Sequence, residues 1–218
     1  MFVYPKQAEL IRSVPKTKIY AYARVGKRIK EGFASQIGEI LWKYKLSPET
    51  INLPARNGIQ EIQVFELKLR TPELDEALLQ VIDKAIPFPL LFELVYDDQV
   101  SFAASYKRPS AADSQKWVIE ARFRTKPQST SAPRQPLPVA LDLAGLYEQI
   151  IRKHIPLQAR SDESLAEQMA RFTEFETKRK TELQLQAQLA QEKQFNRRVE
   201  LNAALRSLTQ ELHTLSQN

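Results

Sequence analysis

The chain contains no cysteine, which excludes disulfides, thiolate nucleophiles and cysteine zinc sites. Its five glycines never cluster, so no phosphate-cradling loop is visible. The two histidines, His154 and His213, have no nearby ligand partners in the sequence, and no serine sits in a G-x-S-x-G elbow. His154 is read as a cation at a helix C-terminus and His213 as a solvated helix residue. No stretch approaches the roughly 18 apolar residues of a membrane span. The N-terminal residues have no apolar run long enough for a signal peptide. These absences predict a soluble, cytoplasmic protein without a bound cofactor or metal. Nothing in them announces a chemistry.

What is present is a densely apolar middle and an uneven charge. The net charge over 218 residues is +6. Residues 1–45 carry 10 Lys or Arg against 3 Glu, a balance of +7. Residues 46–99 carry 4 against 10, or −6, and residues 100–136 carry 7 against 2, or +5. If folding unites the two cationic blocks, they make a face suited to a polyanion; otherwise they merely solubilise the domain.

The apolar middle, residues 59–96, reads as strand, helix, strand. The strand at 60–70 changes face: Ile62 and Val64 share one parity, Phe65, Leu67 and Leu69 the other. A bulge near Val64 or burial on both faces accounts for that. A helix is predicted to start from Thr71 as N-cap with Pro72 in its first turn. Residues 88–106 read as a hairpin around Asp97-Asp98-Gln99, and Lys116 to Arg124 as a further antiparallel strand. Upstream, residues 1–17 read as a loop-like entry, Lys18–Arg24 as a short strand, and Lys27–Leu46 as one helix ended by Pro48. Thr50–Leu53 reads as extended, residues 125–136 as a flexible loop, and Leu141–Ile155 as a helix.

Beyond Pro156 there is neither proline nor glycine, and residues 163–216 are predicted helical almost throughout. Leu201, Leu205, Leu208, Leu212 and Leu215 step by 4, 3, 4, 3, the spacing of a coiled-coil seam. One long helix and a helical hairpin both fit, and the leucines are the expected docking surface for the domain or a partner. The predicted class is therefore α+β: a largely antiparallel β-sheet with packed helices at 1–156, then a C-terminal helical arm at 157–218.

Candidate functional residues follow from charge. Lys16, Lys18, Arg24, Lys27, Arg28 and Lys30, then Lys107, Arg108, Lys116, Arg122 and Arg124, are the expected phosphate contacts. Tyr20, Tyr22, Trp42, Tyr44, Tyr106 and Trp117 are interspersed, and aromatics stack on unpaired bases or fill cores. Glu66-Leu67-Lys68 matches the E-x-K element of metal-dependent nucleases, which place a carboxylate on a metal and an ammonium near the attacking water. That chemistry needs an acid upstream, where Glu39, Glu49 and Glu61 are available. A strand face bearing alternate charges is the functionless alternative.

The pieces WKYKL at 42–46, QEIQVFELKL at 60–69, IDKAIPFPLLFEL at 82–94, PLPVALDLAGLYEQI at 136–150 and EKQFNRRVELNAALR at 192–206 are long and distinctive. In them, and in ETINL at 49–53 and AASYKRP at 103–109, the chain resembles the family catalogued as domain of unknown function 4391. Members are encoded beside helicases and DNA methyltransferases of restriction or antiphage-defence type. The resemblance implies an accessory, non-enzymatic subunit of a DNA-acting assembly, with a helicase or methyltransferase as partner. It transfers no activity.

Overall fold

The computed structural model describes residues 1–110 and 117–217. They form two compact units, Met1–His154 and Ile155–Asn218. The first is an α+β domain in chain order β1 (Phe2–Val3), β2 (Glu9–Ser13), α1 (Lys16–Ala23), α2 (Lys27–Gln36), β3 (Ile37–Leu46) and α3 (Pro48–Ile51). It continues with β4 (Ile62–Leu69), α4 (Glu76–Ala85), β5 (Leu90–Tyr96), β6 (Gln99–Pro109), β7 (Trp117–Arg124), β8 (Gln128–Ser129), β9 (Gln135–Pro136) and α5 (Leu143–His154).

The main sheet runs β2-β3-β4-β5-β6-β7, with β8 beside β6. All pairs are antiparallel except β4 and β5, which α4 connects as a crossover. β4 is central and its first four residues are all buried, so its mixed parity reflects burial on two faces. The bulge lies on its neighbour: Trp42 pairs with Phe65 and Tyr44 with Val64, which leaves Lys43 as the extra residue of β3. One face packs Phe65, Leu67, Phe92 and Leu94 against Ile19 of α1, Phe33 of α2 and Leu78, Leu79 and Ile82 of α4. Fully buried side chains of this size contribute roughly 1.5–3 kcal/mol each, so this cluster dominates the fold.

Several local expectations are overturned. The residues before α1 hold the edge strand β2, whose pairing with β3 no local pattern announces. Residues 18–23 are helical and Arg24 ends the helix: Pro15 precedes the first turn, and only Ile19 is fully buried while Tyr22 is exposed, so no alternating buried face exists. The 27–46 stretch is a helix followed by a strand: Phe33, Ile37 and Ile40 step by 4 and 3 like a helical stripe, but a bulge at Gly38 lets β3 bury Ile37 and Ile40 as well. Gly38 marks the strand: a Cβ there would sit 3.2 Å from the carbonyl oxygen of Lys68. Gly32 permits close packing in the helical part, where a Cβ would meet Leu78 at 3.1 Å. Pro48 opens the short helix α3 over the piece expected to be extended, with Ser47 as cap. α4 starts a turn later than predicted, with Asp75 and not Thr71 accepting from a backbone N–H of the first turn. The hairpin turn is Asp97-Asp98, since Gln99 already pairs with Tyr96. Residues 125–136 contribute β8 and β9 and are tied down, as shown below. Lys116 lies outside the described residues.

The second unit is a helical hairpin, α6 (Leu165–Gln191) and α7 (Phe195–Ser216), joined through residues 192–194. Ser164 and Glu167 form a capping box at the start of α6. The helices are antiparallel: Lys178 pairs with Glu211, and Thr209 donates to Glu182 at 2.9 Å. At the base Arg171 forks onto Glu163, 2.7 Å away, and donates to the carbonyl of Leu215 at 2.8 Å. That fork holds the Glu163 carboxyl down at about 2. Arg160 donates to the carbonyls of Thr214 and Gln217. Both arginines thus satisfy the open end of α7, where the helix dipole favours cations.

Candidate nucleic-acid interface

α1 and α2 form a helix–turn–helix through Arg24, Val25 and Gly26. Arg24 ends α1 in the left-handed conformation, φ 49°. One side of α2 is anchored by Phe33, Ile29 and the close approach of Gly32 to α4. Its other side leaves Lys27, Arg28 and Lys30 exposed, and Lys18 and Arg24 are exposed beside them. The first turn of α2 contains no acid, although the helix dipole favours one there. Lys27 reaches Glu31 at 3.8 Å, with both side chains largely solvated, and Lys30 lies 6.0 Å over the Tyr20 ring. A loose solvated pair of this kind leaves most of the positive potential in place. Tyr22, 78% exposed, is the aromatic in this surface available for stacking. Lys16 is not a surface contact: its ammonium donates to the carbonyl of Ile37, and burial lowers its pKa.

Part of the second cationic block is spent inside the domain. Lys107, an expected phosphate contact, is 1% exposed and pairs with the buried Asp83 at 3.0 Å. Its ammonium also donates to the carbonyls of Asp83, Ile86 and Phe88, which closes the C-terminal end of α4. Burial lowers its pKa against the opposing pull of Asp83. Ser105 donates to the same Asp83, and Arg122 stands 3.5 Å from it, half-buried. Arg108 and Arg124 remain exposed. Arg122 and Arg124 lie on the helix-covered face, opposite Ser105 and Ala103. α4 stands between the blocks. Its Leu78 meets α2, whereas its Glu76, Leu79 and Asp83 line a cavity of about 30 Å³ with Arg122 and Arg124. The two blocks therefore share a side of the sheet without merging into one patch.

Of the aromatics, Trp42 stacks with Phe65, Tyr44 with Tyr4 and Tyr106 with Tyr147, so all three serve packing. On the other sheet face Glu66 and Lys68 point the same way, and β3 places Glu39 opposite Lys68. Each is paired across the strands: Glu66 with Lys43 at 2.8 Å, Lys68 with Glu39 at 2.9 Å. Glu61 pairs with Lys45 at 3.0 Å, and Glu49 accepts from Ser47 at the start of α3. Among the described residues no group of three or more His, Asp or Glu side chains is placed to hold a metal ion.

One centre escaped the sequence reading and a second was misread as charged. Glu93, fully buried on β5, is forked by Arg134 at 2.7 and 3.0 Å, and Arg134 also donates to the carbonyl of Phe2. His154 does end a helix, but its ring stacks on Phe102 at 3.7 Å and burial pulls its pKa down to about 4. It is neutral at pH 7 and contributes packing, not charge. In the hairpin, Leu201 and Leu212 are buried and Leu205, Leu208 and Leu215 half-buried, while most other α7 positions are exposed. The seam faces α6, so these leucines are occupied within the hairpin.

No helix among the described residues is long and apolar enough to cross a membrane. A family model described as "Domain of unknown function (DUF4391)" matches residues 2–212. Neither the curated proteins nor the solved structures yield a match.

Proposed function

We propose, from the premise that the chain belongs to the DUF4391 family over nearly its whole length, that it is a cytoplasmic, non-enzymatic accessory subunit that contacts DNA backbone through the α1–α2 surface. The observation that carries this is the exposed set Lys18, Arg24, Lys27, Arg28 and Lys30, which has one loose carboxylate contact and surrounds an acid-free helix start. Phosphate contacts of this kind release counterions, so affinity falls steeply with salt. A duplex-binding titration across salt concentrations tests it. Replacing Arg24, Arg28 and Lys30 with Ala lowers the slope of log K against log salt by about 2 to 3. A wild-type protein that ignores DNA at low salt ends the reading.

The accessory role beside a helicase or methyltransferase belongs to the same proposal and rests on the family resemblance. Co-purification with such a partner after nuclease treatment separates protein docking from DNA bridging. A second reading, a metal-dependent nuclease, draws support from Glu39, Glu66 and Lys68 sharing one face. Plasmid cleavage with Mg²⁺ or Mn²⁺ that disappears in Lys68→Ala favours it; no cleavage, or equal cleavage by both proteins, removes it.

A further inference from the structure

Residues 10–30 contain seven Lys or Arg and no acid, and one exposed aromatic stands among them. Tyr22 lies in the last turn of α1 and is 78% exposed. It follows Lys18 by four residues, which puts both on one helical face, and it precedes Arg24, where α1 ends. Lys27 and Arg28 open α2 directly after the link. Tyr20 differs: it is half-buried, its ring meets Phe33 at 5.4 Å, and Lys30 lies over it. Among the described residues no other ring stacks on Tyr22 and no cation covers it. The acid nearest in sequence, Glu31, engages Lys27 only loosely at 3.8 Å. The acids that open α4 stand elsewhere, since the backbone N–H of Asp75 donates to Gln36 at the far end of α2, about 14 Å along that helix from Lys27.

We infer that this surface takes unpaired DNA in preference to duplex, with the Tyr22 ring stacked on one base while Lys18, Arg24, Lys27 and Arg28 hold the flanking phosphates. The inference rests on the DNA contact proposed above and adds the state of the strand. A duplex keeps its base faces inside its own stack and presents phosphates, sugars and groove edges, so a ring among the cations gains little from it. A single strand offers a free face at every base. Stacking of one base on an aromatic side chain strengthens binding by about 5- to 100-fold and tolerates any sequence, because every base has such a face. Cations that track the backbone, together with an uncovered ring, are the two parts that such a strand requires.

Fluorescence-anisotropy titrations of the full chain with an oligothymidylate and with a duplex of the same length read this directly. The expected result is that the oligothymidylate binds tighter by at least about fivefold. Tyr22→Ala lowers oligothymidylate affinity by about 5- to 100-fold and leaves duplex affinity unchanged. Its salt slope stays that of the wild type, because a stacked ring releases no counterions. Tyr22→Phe binds like the wild type, since stacking uses the ring and not the hydroxyl. Duplex bound as tightly as the single strand overturns the inference and leaves the backbone contact standing. So does a Tyr22→Ala variant that loses nothing, or that loses affinity for both probes alike. A wild-type protein that binds neither probe removes the backbone contact and this inference together.

Discussion

The two cationic blocks have similar charge density in the sequence, but the fold keeps most of the α1–α2 cations in water and draws part of the second block inside. On α1 and α2, Lys18, Arg24, Lys27, Arg28 and Lys30 stand in water around a helix start without acids. On β6 and β7, Lys107 is sealed against Asp83 and three backbone carbonyls, and Arg122 shares the same carboxylate. The first set costs nothing to keep charged and holds its potential for a ligand. The second exchanges its potential for a connection between a crossover helix and the sheet. A cation count therefore measures surface potential only after the internal pairs have been subtracted.

The sharpest way to break the comparison is to remove the buried ammonium. Lys107→Met leaves Asp83 buried without its main partner, and the expected loss is about 3–5 kcal/mol of unfolding free energy by urea titration. A loss under about 1 kcal/mol would mean that the ion pair is dispensable. His154 extends the contrast to a buried group that is neutral. Its folded pKa of about 4 lies below its unfolded value, so the native state resists protonation. Stability is full above the unfolded value of about 6.5 and falls as pH drops toward 4, by on the order of 2–3 kcal/mol. His154→Phe should flatten the pH profile of stability between about 6.5 and 4.

Smaller effects lie at the surface. The cross-strand pair Lys68–Glu39, about half exposed on both sides, should yield less than about 1 kcal/mol in a double-mutant cycle. Lys30→Ala should change stability by no more than about 0.5 kcal/mol while lowering the salt slope of DNA binding by about 1. If Lys30→Ala destabilised the domain as strongly as Lys107→Met, the two blocks would not differ in kind.

Legibility in the sequence followed the range of the interaction. The strand around Phe65, the hairpin of β5 and β6, the strand ending at Arg124 and helix α5 were readable, because alternation or a helical stripe lies within each segment. α2 and β3 were fused, since Phe33, Ile37 and Ile40 step by 4 and 3 like a helical stripe, and only pairing with β4, with a bulge at Gly38, makes the second part a strand. In the candidate interface, the α1–α2 cations were named correctly as charged but Lys16 and Lys107 were misplaced. Their partners, Ile37 and Asp83, lie 21 and 24 residues away and are invisible to a local window. Glu93 and Arg134, 41 residues apart, were missed for the same reason.

The sequence by itself determined an α+β chain of this family with a proline-free helical tail, because those properties are set by spacing and composition within short windows. Tertiary structure alone decided which cations stay hydrated, which leucines remain free and whether His154 carries charge. Desolvation depends on what packs over a group, and that packing is brought in from distant parts of the chain.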